Sequence, residues 1–193
     1  MTRNTLAPVV SLHHLVRRTT YTDLTLTADV LAAAFHDDPV VSWLMPDESH
    51  RRADLPAMMR VFAARFQPHG ENCLNETGTG AAVWLPPEAT FTPEDDARFE
   101  TALVAAAGDD IERANELMAV MESAHPTDPH HYLMLLGVVP DQQGTGIGSA
   151  PSLTDRFYDM GWPDLRPSAG ASRLLSTREG ELLAVVAGSQ GTT

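Results

Sequence analysis

The chain has 193 residues, 43% of them hydrophobic and 20% charged, a composition that fits one globular domain and excludes a fibrous or disordered chain. Its 26 acidic residues stand against 13 cationic ones, a formal charge of −13, and every cation is arginine. A surface of that sign repels nucleic acid and anionic lipid, and the absence of lysine excludes a Walker-type phosphate loop, a Schiff-base enzyme and a catalytic lysine.

In chain order, residues 1–14 read as a loose lead-in too interrupted by polar residues to be a secretory signal. Leu15 to Thr19 reads as a short strand. Leu26, Val30 and Ala34 beside Leu31 and Phe35 recur at helical spacing, and Asp38 before Pro39 stops that helix. Val40 to Met45 is a short apolar piece. A second helix is predicted from Ala53 to Phe66, with Leu55, Met59, Phe62 and Phe66 on one face. Glu71 to Glu76 and Ala81 to Leu85 form a predicted hairpin around Thr77-Gly78-Thr79-Gly80.

An acidic stretch, Glu88 to Asp128, carries helical pattern over Phe99 to Ala107 and Ile111 to Met121 and reads as a solvated helical insertion. Tyr132 to Val139 is nearly continuous apolar sequence, as expected of a central strand buried on both faces. A helix with Ala150, Leu153, Phe157 and Met160 inward is predicted next. Leu182 to Ala187 is a further predicted strand, and 188–193 a polar tail. Residues 1–193 are thus expected to form one domain. No apolar run approaches the roughly 20 residues that span a bilayer, and the single cysteine, Cys73, excludes a disulfide framework and a thiolate zinc site. A soluble cytoplasmic protein is the expectation. His125, His130 and His131 read as surface or strand-edge histidines, and no metal is expected.

Between the buried strand and the following helix stands Pro140-Asp141-Gln142-Gln143-Gly144-Thr145-Gly146-Ile147-Gly148. Alternating glycines let a backbone approach a ligand without Cβ collision, and the amides of a helix start offer donors to an anion. A dinucleotide fingerprint begun at Gly144 fails at its sixth position, Ser149. The run Gln143-Gly144-Thr145-Gly146-Ile147-Gly148, behind Leu136-Gly137-Val138-Val139-Pro140, closely resembles the acetyl-CoA-binding motif of the GNAT superfamily of N-acetyltransferases. Ala34 to Pro39, Trp43 to Asp47 and Gly80 to Pro87 look like the branch that includes puromycin N-acetyltransferase-like proteins. The likeness covers roughly Leu15 to Ala150.

That resemblance implies an α/β (α+β) fold: a mixed, mostly antiparallel central sheet flanked by helices, with the acidic helices inserted. It implies a bulged fourth strand running parallel to the fifth, with a cofactor slot between them. Backbone groups of Val138 and Val139 would bind pantetheine amides, and the amides from Gln143 through Gly144, Thr145, Gly146 and Ile147 to Gly148, beside Ser149, would hold the pyrophosphate. A backbone N–H near Val138 would polarise the acetyl carbonyl. Acetyl-CoA is then the cosubstrate and a primary amine of a small molecule the acceptor.

Deprotonating an alkylammonium of pKa about 10 at pH 7 costs about 4 kcal/mol, so a general base is expected. Asp37, Asp38, Glu122, His130 and His131 are candidates; none stands out, and Asp38 before Pro39 reads first as a turn carboxylate. The tyrosine segment that often protonates the thiolate in that superfamily aligns here with Ser172 to Glu181, placing Ser176 where the tyrosine stands; Tyr132 and Tyr158 are alternatives. The C-terminal portion thus looks degenerate. Two functions remain open from sequence: an acetyl-CoA-dependent N-acetyltransferase, or an impaired relative that binds acetyl-CoA or CoA without efficient turnover. A missing last strand would leave a sheet edge that a second subunit could cover, so a homodimer is one expectation.

Overall fold

Among the described residues six strands form one sheet: β1 (Val16–Arg18), β2 (Cys73–Asn75), β3 (Gly80–Leu85), β4 (Tyr132–Val138), β5 (Arg173–Leu174) and β6 (Val185–Val186). This computed structural model describes residues 16–127 and 129–147, together with the backbone of 173–174 and 185–186. The lead-in, the helix predicted after Ser149 and the polar tail lie outside the described residues.

The spatial order is β1-β2-β3-β4-β6-β5. Every neighbouring pair is antiparallel except β4 and β6, which run parallel with Leu135 opposite Val185 and Leu136 opposite Val186. The mixed, mostly antiparallel sheet predicted from sequence is therefore present. The described parallel partner of β4 is β6, with β5 on its outer side; the weak fifth strand expected at Asp164 to Pro167, interrupted by its proline, lies outside the described residues. A Val-Val dipeptide suits an interior position and a strand opening with arginine suits an edge.

Five α-helices accompany the sheet among the described residues: α1 (Leu24–Phe35), α2 (Pro39–Leu44), α3 (Glu48–Phe66), α4 (Pro93–Ala107) and α5 (Ile111–Ser123). The turn into α1 is held by Asp23, which takes both guanidinium nitrogens of Arg17 at 2.7 and 2.9 Å and the Thr20 N–H at 2.8 Å. These donors hold the Asp23 carboxyl well below the usual carboxylate range. Leu24, Ala28, Leu31 and Phe35 then form the buried stripe of α1, spaced four, three and four residues apart as one helical face requires.

The acidic insertion is α4 and α5. Only Leu103 and Ala107 of α4 and Ala114 and Met121 of α5 are buried, so one narrow face of each helix meets the core. Arg65 of α3 holds α4 in place. Its guanidinium lies 3.9 Å from the Phe91 ring centre and 4.5 Å from that of Phe99, and it pairs with Asp96 at 2.6 Å.

All seven residues of β4 are buried. Its pairing with β3 jumps between Val83–Leu135 and Trp84–Leu133, so Met134 is an extra residue on β4 with no counterpart opposite. This is a β-bulge in the fourth strand. A bulge interrupts the alternation of side chains, and Met134 and Leu135 accordingly line the same apolar cavity between β4 and helices α2, α3 and α5.

α1 lies on β4 at Gly137. A Cβ at that residue would fall 2.7 Å from the Ala34 Cβ and 3.2 Å from a Leu31 methyl, so the helix can approach only because Gly137 has no side chain. Gly137→Ala is therefore expected to destabilise the fold by about 1–3 kcal/mol through overpacking. Urea unfolding of the single and double variants checks this: Ala34→Gly, itself a loss of about 1 kcal/mol in a helix, should recover part of the Gly137→Ala loss, and simple additivity would refute the contact.

Candidate functional site

The buried strand ends in a turn that its own neighbours hold. Val139 donates its N–H to the Thr79 carbonyl at 2.9 Å, and its carbonyl accepts the Gln142 N–H at 2.9 Å. The Gln143 N–H donates to the Pro140 carbonyl at 3.2 Å. The Gln143 side chain folds back, its Nε2 donating to the Val138 carbonyl at 2.9 Å. Thr145 Oγ1 donates to the Gln142 carbonyl at 2.6 Å, and Ile147, fully buried, anchors the far end.

Between those anchors the chain alternates in handedness. Gln143 has φ −67°, Gly144 +75°, Thr145 a negative φ and Gly146 +89°. Alternating left- and right-handed residues turn successive N–H groups toward one concavity, the nest that backbone uses to hold anions. Gly144 and Thr145 donate no N–H bond among the described residues. A Cβ on Gly144 would meet nothing within 4 Å, so glycine is required there for its backbone angle and the space above it is open.

Two of the backbone N–H groups singled out from sequence have partners within the protein: that of Val139 donates to Thr79 and that of Gln143 to Pro140. Val138 differs from Val139 because backbone groups of successive strand residues point to opposite sides: Val139 faces β3, and Val138 therefore faces the side of β6. Gly148 and Ser149 lie outside the described residues, as does Ser176.

The loop that receives Val139 was read from sequence only as a hairpin turn. Asn75, buried, organises it: its Oδ1 accepts the N–H groups of Thr79 at 2.8 Å and Gly80 at 2.9 Å, and its Nδ2 reaches the hydroxyls of Thr77 and Thr79. An Asx residue ahead of Thr-Gly-Thr is the signal that would have found it.

The base candidates separate. Asp38 is 5% exposed. One of its oxygens, Oδ1, caps α2 by accepting the N–H groups of Val40 at 2.8 Å and Val41 at 3.2 Å. The other, Oδ2, is buried without a hydrogen-bond partner. Its own N–H donates to the Phe35 carbonyl, and the Phe35 ring edge lies 3.4 Å from the Cβ position of Gly137, which places Asp38 at the end of α1 that covers the C-terminal part of β4. Burial pushes the Asp38 carboxyl up, opposed by its two backbone hydrogen bonds. Arg51, buried and missed in the sequence reading, ties this corner together by donating to the carbonyls of His36 at 2.7 Å and Met45 at 2.6 Å.

Asp37 is fully turned to solvent beside His36. Glu122, His130 and His131 lie at the other end of β4, ahead of Tyr132. At about 3.3 Å per strand residue, His131 is roughly 20 Å or more from the Val138 exit. There the His125 ring packs 4.8 Å from His130 and 4.6 Å from Tyr132. Burial holds His125 below and Tyr132 above their ordinary values, Tyr132 at about 12. Among the described residues no three of His, Cys, Asp or Glu stand together as a metal site, and no helix is long and apolar enough to cross a membrane.

No family model matches the chain. A solved structure described as histone acetyltransferase HPA2 and related acetyltransferase, from Corynebacterium glutamicum, is similar to it at 25% identity, with 76% of this chain and 71% of that chain covered and a TM-score of 0.49.

Asp38 yields a pH test independent of any ligand. Its folded pKa is raised above the unfolded value, so the folded state binds the proton more tightly. Stability from this group is then fully present below the unfolded pKa and falls as pH rises through the folded one. Asn keeps the cap and does not titrate. Asp38→Asn should therefore gain thermal midpoint relative to wild type at pH 7 compared with pH 3.5; an equal difference at both pH values would refute the buried-carboxyl assignment.

Proposed function

We propose that the protein is an acetyl-CoA-dependent N-acetyltransferase of the GNAT superfamily, transferring acetyl to a primary amine of a small molecule. The observation that carries this reading is the left-handed alternation at Gly144 and Gly146 directly after a wholly buried, bulged strand. It forms a cation-free cradle for a diphosphate, consistent with a chain that has no lysine. The motif resemblance over 136–148 supports the same reading, and so do the bulge at Met134 and the parallel partner beside Leu135 and Leu136.

In this reading the nests at Gly144 and Thr145 hold the pyrophosphate, and the Val138 N–H, facing the side of β6, is the donor nearest the acyl arm. The free amine attacks the thioester carbonyl, the C–N bond forms, the C–S bond breaks, and the leaving thiolate takes up the proton that the new amide nitrogen sheds. Positioning the two substrates supplies most of the acceleration, and a thiolate of pKa about 8.5 leaves without a strong acid. Asp38 takes the proton of the acceptor ammonium: it is buried, burial pushes its carboxyl up, and Oδ2 accepts no hydrogen bond among the described residues. Glu122 and His131 are too far along β4 for that task.

Substitution at Gly144 tests the cradle because Asn and Asp both tolerate left-handed φ and differ only in charge. Calorimetry with acetyl-CoA should show Gly144→Asp binding at least tenfold weaker than Gly144→Asn. Equal affinity would remove the diphosphate assignment. Release of free thiol across a panel of amines then separates catalysis from the second reading, binding without turnover, which Ser176 favours by standing where the superfamily often has tyrosine. Asp38→Asn should lower kcat/KM at least tenfold while leaving acetyl-CoA affinity unchanged.

A further inference from the structure

The groove between α3 and α4 shares no residue with the glycine loop or β4. It has a volume of roughly 660 Å³, within the usual range of small-molecule sites, about 300–1,000 Å³. Alanines at 57, 64, 102, 105 and 106 leave its floor low, and Phe99 and Tyr21 stand beside them. Tyr21 is 65% exposed, a large apolar ring left in water at the mouth.

Its charge runs against that of the molecule. In a chain of formal charge −13, Arg60, Arg65 and Arg98 line the groove with Asp95 as the single lining carboxylate. Arg65 is occupied by Asp96 and the two phenylalanines, and Arg98 by Asp95 at 2.7 Å. Arg60 differs: it is exposed and makes no ion pair or hydrogen bond among the described residues. A free guanidinium over an apolar floor is the arrangement that holds a carboxylate by its planar fork while a flat apolar body packs below.

We propose that the α3–α4 groove is a binding site for a small aromatic carboxylate, whose ring lies on the alanine floor against Phe99 and whose carboxylate pairs with Arg60. The site does not depend on the acetyltransferase reading, since none of its residues contributes to the glycine loop, to Asp38 or to β4.

The test uses 2-naphthoate and its neutral counterpart 2-naphthylmethanol, titrated by calorimetry into the whole protein. The acid should bind at least fivefold tighter than the alcohol. Arg60→Gln should erase that preference and leave alcohol binding unchanged. Ala105→Trp, at an exposed helical position, should abolish binding of both, with the thermal midpoint confirming that the variant is folded. Acetyl-CoA affinity should be the same in all three proteins. Equal binding of acid and alcohol to wild type, an unchanged preference in Arg60→Gln, unchanged binding in folded Ala105→Trp, or no binding of either probe would each overturn the proposal.

Discussion

The burial of β4 is the constraint on which the rest of the structure depends. A strand hidden along its whole length has no water for its backbone, so each N–H and C=O must find a protein partner or a ligand. On one side β3 supplies them, and the Thr79 carbonyl continues that ladder one residue past the strand by taking the N–H of Val139. On the other side β6 pairs opposite Leu135 and Leu136, and beyond it the Gln143 side chain satisfies the Val138 carbonyl. The glycine loop is thus tied back to the strand it follows through a side-chain amide, and its left-handed residues are held in one arrangement.

The same strand fixes what can approach it. Gly137 admits α1 to a distance that any side chain would forbid, and α1 in turn ends at Asp38. The corner after α1 is closed by Arg51, whose guanidinium satisfies carbonyls at both ends of the α2 segment. A buried carboxylate with one oxygen capping a helix and the other empty is costly unless something fills it. That combination stands at the end of α1, the helix that Gly137 admits onto the C-terminal part of β4.

Charge is distributed by role. Arg17, Arg51 and Arg65 serve the fold, through the exposed Asp23 turn, the α2 corner and the aromatic stack on α4. The α3–α4 groove departs from this pattern, because Arg60 has no such task.

Much of this was written in the sequence. The helix of 24–35 and the two acidic helices show in periodicity, because one buried face imposes a repeat of 3.6; the hairpin shows in its turn residues, and the buried strand in an unbroken apolar run, because both its faces are covered. The glycine spacing announced the turn after β4, because left-handed backbone at 144 and 146 favours residues without Cβ. The Met134 bulge, the Thr79 and Gln143 bonds, the empty Asp38 oxygen and the identity of the strand beside β4 were not legible. Each joins residues far apart in the chain or depends on which side a backbone group faces. Local pattern sets how a segment folds. Only packing decides which donors are already taken and which remain for a ligand.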